Sequence, residues 1–224
     1  MQFLARTILD LPAAPKEQWS SLQSDSQLFL RTRILPRNEI RPATAEDCAS
    51  LAALSIEVWL ATYLRAGISR IFAEHVLAQY TPDHFAAALK TSEQCILVSQ
   101  NREGIDGYIR VAHNSPCPAG GLSRTEIATL YVRPCHQGEG KGAGLLIAGL
   151  QACGTRGWDA PWLAANSENL RAIAFYLRHG FEPAGLTCFR IGEASYANDV
   201  LQYRGPLPPS QTSSRRPPAR RQPF

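Results

Sequence analysis

The sequence predicts a single α/β domain, built as a mixed, mostly antiparallel sheet of six to seven strands flanked by helices. Three observations predict it. Apolar residues recur at nearly helical spacing early in the body, at Leu51, Leu54, Ile56, Trp59 and Leu60. Short β-rich runs separated by turn residues follow. A glycine cluster then joins one strand directly to an apolar helix. At 224 residues and 45% apolar composition, the chain is long enough to bury one core of ordinary size.

Glu39-Ile40-Arg41 reads as a short opening strand, and Thr44-Ala45-Glu46-Asp47 as a helix start with acids in the first turn. That helix is expected from about Ala45 to Ala61. Two more follow, around Arg70 to Gln79 and from the Thr81-Pro82 cap to Leu89, where proline suits the first helical position. Cys95 to Ser99 and Ile105 to Ala112 form a hairpin across Asn101-Arg102-Glu103-Gly104. A loop with Pro116, Pro118, Gly120 and Gly121 leads to a third strand, Glu126 to Val132. After the glycine cluster come a helix to about Cys153, a strand near Trp162 to Ala165, and a helix capped by Ser167 that ends near Arg178. Phe181 to Ile191 and Val200 to Tyr203 close the domain as two strands joined near Gly192.

The body is residues 39–207, preceded by an extension of unclear structure over residues 1–38 and followed by a disordered tail over residues 208–224, rich in Pro, Ser, Gln and Arg. The net charge of +4 resides in that tail, at Arg215, Arg216, Arg220 and Arg221, so the near-neutral body gives no reason to expect nucleic-acid binding. Asp10 and Pro12 interrupt the start of the chain, and nowhere do about 18 apolar residues run together, so neither secretion nor membrane insertion is expected. Six scattered cysteines without a CxxC read as reduced thiols, and the five histidines form no metal cluster. A cytoplasmic location without metal is the expectation.

The chemistry concentrates in Leu130-Tyr131-Val132-Arg133-Pro134-Cys135-His136-Gln137-Gly138-Glu139-Gly140-Lys141-Gly142-Ala143. A glycine-rich junction from strand to helix points free backbone N–H groups and the positive end of the helix dipole at one spot, which is an anion site. Two phosphate motifs fail against it. Walker A needs Ser or Thr after Gly-Lys, but Gly142 follows Lys141; G-x-G-x-x-G fails because Ala143 or Leu145 stands where its last glycine belongs. What Gln137, Gly140 and Gly142 match is Q/R-x-x-G-x-G/A, so the segment resembles the acetyl-CoA loop of GNAT N-acetyltransferases. Downstream, Asn169-Leu170-Arg171-Ala172-Ile173-Ala174-Phe175-Tyr176-Leu177-Arg178-His179-Gly180-Phe181 resembles that family's second signature, N-x-x-A-x-x-F-Y-x-x-x-G-F. Asn169, Ala172, Ile173, Tyr176 and Leu177 share one helical stripe, so Asn169 and Tyr176 are expected to face the same side.

The resemblance spans about Glu39 to Leu207. It implies a GNAT fold in which acetyl-CoA is wedged where the glycine-loop strand and the next strand splay apart. Leu130, Tyr131, Val132, Gln137, Gly138, Glu139, Gly140, Lys141, Gly142, Ala143, Asn169 and Tyr176 would contact the cofactor, and Tyr176 would act as general acid toward the CoA sulfur. Glu126 matches a position where many relatives carry an acid working through water, with Glu57, Asp106 and Glu139 as weaker bases; a solvated strand-end glutamate is the equal alternative. Trp59 and Tyr63, with Glu57 and Thr62 beside them, are the substrate-binding candidates by resemblance, while their i, i+4 spacing equally describes core aromatics. Deprotonating an amine of pKa ~10.4 at pH 7 costs about 4.6 kcal/mol, against about 1 for an α-amine near ~7.7, so the need for a base depends on the acceptor. The expected activity is acetylation of a small-molecule primary amine; a protein or peptide N-acetyltransferase and a non-catalytic acyl-CoA-binding module are the alternatives. A homodimer is one expectation for its assembly.

Overall fold

The computed structural model describes residues 39–63, 67–120, 123–191 and 194–207. The expected extension and tail lie outside the described residues, as do Gly121, the turn at Gly192 and the side chain of Tyr63.

Seven strands, β1 (Glu39–Pro42), β2 (Gln94–Gln100), β3 (Ile105–Ala112), β4 (Glu126–Val132), β5 (Trp162–Asn166), β6 (Phe181–Ile191) and β7 (Ala194–Tyr203), form one sheet in the order β1-β2-β3-β4-β5-β7-β6. Every pairing is antiparallel except β4 with β5. Among the described residues five helices, α1 (Cys48–Tyr63), α2 (Arg70–Gln79), α3 (Pro82–Leu89), α4 (Lys141–Arg156) and α5 (Leu170–Arg178), cover it. The parallel step is the one that needs a helical crossover, and α4 supplies it.

Alternation along β3 sets the layers. Ile109 and Val111 pack with Leu145, Leu146 and Leu150 of α4, whereas Tyr108 packs with Leu51, Leu54 and Val58 of α1 and Phe85 of α3. Each of these apolar side chains, once buried, contributes roughly 1.5–3 kcal/mol. Helix α4 lies close to the strands, since a Cβ on Gly149 would stand 2.5 Å from Ile109 Cδ1. A third cluster, Trp59, Val76 and Ile191, ties α1 and α2 to the long β6–β7 pair.

Two expected elements differ. Helix α5 is capped by Asn169 and not by Ser167, because the Asn169 side chain accepts from Ala172 N–H at 3.1 Å, while β5 runs on through Asn166 and the Asn166 side chain holds the intervening turn through Glu168 N–H. Strand β7 begins at Ala194, well before the expected Val200, since Ala194 to Asp199 pair with Ile191 to Leu186 of β6. Its Ser, Asn and Asp residues disguise a strand whose ladder comes from its partner.

Candidate active site

Strands β4 and β5 touch through one residue pair, Glu126 with Trp162, and then diverge. Their divergence opens a cleft of about 530 Å³ between β4, β5, α5 and the start of α4. On the other side of β4, pairing with β3 steps from Arg110–Thr129 to Val111–Ile127, so Ala128 is an extra, unpaired residue. Such a bulge releases main-chain polar groups from the ladder, and Ala128 lines the cleft together with Leu130, Tyr131 and Val132.

The glycine loop closes the end of the cleft beyond Val132. Gly138 and Gly140 have φ of +91° and +82°, left-handed values that favour glycine, and Gly140 is the N-cap of α4. The first amides of α4 lack a carbonyl one turn back and carry the positive end of its dipole. Gly142 leaves room: a Cβ there would meet only the Phe175 ring and Val132 at 3.8 and 3.9 Å. Gln137 braces the loop, donating to Val132 C=O at 3.3 Å and accepting from Arg171 at 3.2 Å. This donor set, open and net positive, fits a pyrophosphate.

The Lys141 side chain turns away from the cleft, which leaves its main-chain amide as its only means of contact with a ligand. Its ammonium is buried on the carboxylate of Asp106 in β3, within 3.5 Å of Glu139, and neither Lys141 nor Glu139 lines the cleft. Asp106 also accepts from Asn101 Nδ2 at 3.2 Å, and its main-chain carbonyl from Arg133 N–H at 3.0 Å. The pair therefore fastens the loop to the sheet from behind.

Tyr176 lines the cleft, its ring packed edge-on against Phe175 and Phe181. Its hydroxyl makes no hydrogen bond with any described residue. Burial pushes the phenol well above its ordinary pKa, so it is protonated at neutral pH. Asn169 also lines the cleft, though its carbonyl oxygen is committed to the α5 cap and only its amide nitrogen is left for a ligand.

Glu126 does not reach this space. Its carboxylate accepts from Ser115 Oγ at 2.6 Å, at the closed end where β4 and β5 still pair. Glu57 is held by Arg133 at 2.8 and 3.1 Å. The expected bases are thus engaged elsewhere, and among the described residues no carboxylate lines the cleft.

Trp59 and Thr62 of α1 do line it. With them stand residues that the local motifs did not single out: Tyr80 after α2, Thr129, Phe189 of β6 and Asn198 of β7. Tyr80 and Tyr131 join hydroxyls at 3.2 Å, and burial, only partly offset by that hydrogen bond and by Arg110, raises the Tyr80 pKa. Trp59 meets His75 at 5.6 Å between ring centroids, and His75 meets Phe189 at 5.5 Å. The stray aromatics in α2 and β6 were the only sequence signal for this wall.

A divergent strand pair, a bulged strand and a left-handed glycine loop on a helix start can be compared with known proteins. The model of the acetyltransferase (GNAT) family matches residues 57–181. The chain belongs to that family. An uncharacterized N-acetyltransferase of Mycobacterium tuberculosis is 28% identical over 158 residues, covering 70% of this chain and 97% of the relative. Among solved structures, the PaiA N-acetyltransferase of Thermoplasma acidophilum in complex with coenzyme A superposes with a TM-score of 0.58 at 16% identity, over 75% of this chain and 98% of that one. The yncA protein of Salmonella typhimurium, with its cofactor acetyl-CoA, gives a TM-score of 0.54 at 21% identity, over 74% and 92%. At these identities the structures establish the GNAT fold. Membership makes the chain an acyltransferase with acetyl-CoA as its cosubstrate. Among the described residues no helix is long and apolar enough to cross a membrane.

Proposed function

We propose that this GNAT protein acetylates a primary amine of a small molecule by direct attack on acetyl-CoA, with Tyr176 as the general acid. The observation that carries the reading is the Tyr176 hydroxyl: protonated, without a protein partner, and set in the wall of the cleft. The loop from Gln137 to Ala143 would hold the pyrophosphate through main-chain amides, and the diverging edges of β4 and β5 would take the pantetheine amides as an added strand. A main-chain N–H at the Ala128 bulge would polarise the thioester carbonyl.

The acceptor nitrogen, neutral, forms a bond to the thioester carbon as the carbon–sulfur bond breaks, and the electron pair passes to sulfur. Tyr176 gives its proton to that thiolate and regains one from solvent, while the nitrogen releases its surplus proton to water. The dryness that raises the phenol pKa would raise that of the departing thiol as well, so the gap between the two does not widen. A wall without carboxylates favours an acceptor that enters as the neutral amine. The ring surface of Trp59 and Phe189 in the cleft supports an acceptor with an apolar part.

The test is steady-state acetylation of an amine panel by wild-type protein and Tyr176→Phe. The variant should lose about 10²-fold in kcat with little change in the acetyl-CoA KM. Equal kcat values would remove Tyr176 from the mechanism.

A further inference from the structure

Arg110 of β3 stands beside the acceptor wall with nothing to hold. It lies directly across from Thr129, which lines the cleft, and shares a strand face with Tyr108. Its guanidinium makes no hydrogen bond or ion pair with any described residue, and its Nε is shut away from solvent. It is close enough to influence the hydroxyls of Tyr80 and Tyr108. A buried donor so placed calls for an acceptor, and the outer nitrogens of the half-buried guanidinium, which reach solvent, leave an anion room to supply one.

The surrounding charges say what kind of partner. Among the described residues the cleft wall carries Arg171 and Arg178 and no carboxylate. The nearby acids are already engaged: Glu57 with Arg133, Asp106 with Lys141, Glu126 with Ser115. Arg171 is tied to Gln137 at the pyrophosphate end, which leaves Arg110 as the cation on the side of Tyr80 and Tyr131. A polyamine or a lysine side chain would find no anion here. An acceptor bearing a carboxylate would find an unpaired arginine, whose planar fork suits two carboxylate oxygens. Trp59 and Phe189, bridged by His75, offer apolar ring surface for the rest of the molecule.

We infer that the acceptor is an amino acid type molecule, with a carboxylate near its amine and an apolar body, and that Arg110 receives the carboxylate. This rests on the acetyltransferase reading above and adds the acceptor class to it.

Matched pairs test the idea: phenylalanine against phenethylamine, and leucine against 3-methylbutylamine, as acceptors for the full chain with saturating acetyl-CoA. Binding of each to the coenzyme A complex is measured in parallel by calorimetry. The wild-type protein should favour the carboxylate member at least tenfold in kcat/KM and in affinity. Arg110→Met should bring that ratio toward one, mainly through KM, and Arg110→Lys should restore part of it. Equal or better use of the decarboxylated amines by wild type would overturn the inference, even if Arg110→Met failed to fold. So would a preference that survives Arg110→Met, or no turnover and no binding of either carboxylate by protein that binds acetyl-CoA. Failure to bind acetyl-CoA itself would sink the acetyltransferase reading along with this one.

Discussion

Single side chains in this site divide between those that face the cleft and those that hold the loop still. Lys141 shows the second kind. A lysine in a glycine loop invites a phosphate-binding role, yet its ammonium is spent on buried Asp106. Removing one member of a buried ion pair strands the other, at a cost of about 3–5 kcal/mol, whereas replacing both by apolar groups of similar size is often close to neutral. Lys141→Ala should therefore lower the unfolding free energy by about 3 kcal/mol in urea titration, and the double variant Lys141→Met with Asp106→Leu should recover most of that loss. Simple addition of the two single effects in the double variant would show that the residues are not coupled. The Tyr176 hydroxyl is the opposite case: it has no partner among the described residues, and in the proposed mechanism its partner would be the leaving sulfur.

Elements are fixed by a few short-range devices, and these decide what could be read from the sequence. Arg41 of β1 donates to both carboxylate oxygens of Asp47, at 2.7 and 2.9 Å, and Asp47 also accepts Thr44 N–H at 2.7 Å, so the strand is locked to the start of α1. The hydrogen bonds from Arg41 are the main reason the Asp47 carboxyl is lowered to about 2 from 3.8. A carboxyl depressed in the folded state stabilises above its unfolded pKa and loses that contribution as pH falls through the folded value. Asp47→Asn should cost about 2 kcal/mol at neutral pH, a deficit that shrinks between pH 4 and pH 2 in thermal or urea unfolding; a constant deficit would assign the effect to packing. The acids of that first turn were legible in the sequence, as were α2, α3 and the glycine loop, because their signals are local. Less was legible where a neighbour decides: β7 is extended by its pairing with β6, and Ser167 yields the cap to Asn169 because Asn166 organises the turn. The cleft wall follows the same rule. Its loop and Tyr176 came from contiguous motifs, whereas Tyr80, Phe189 and Asn198 are brought there, and Arg110 beside them, by packing between distant segments.

At the largest scale the described residues build a sheet in two parts, β1 to β4 and β5-β7-β6, joined along the strands by the single pair Glu126–Trp162. Beyond that pair, α4 and α5 and the shared core of Leu145, Leu163 and Phe181 hold the halves together at one face while the cleft separates their edges. A cosubstrate lying in the cleft would touch both halves, bonding to main-chain groups that the missing ladder leaves open, and so would stabilise the folded state by mass action. At a hundred times its dissociation constant, acetyl-CoA should add about 2.7 kcal/mol, which for a chain of this size raises Tm by roughly 5–10 °C. Gly142→Asp is the control, because its backbone does not have a positive φ and its Cβ has room beside Phe175. The new carboxylate would oppose the pyrophosphate while favouring the positive helix end, so the variant alone should melt at or slightly above wild type yet gain almost nothing from acetyl-CoA. Opposite signs for intrinsic stability and ligand-induced stability are hard to produce by misfolding. A ligand shift retained in full by Gly142→Asp would move the pyrophosphate off this loop and leave the divergence of β4 and β5 without the role argued for it.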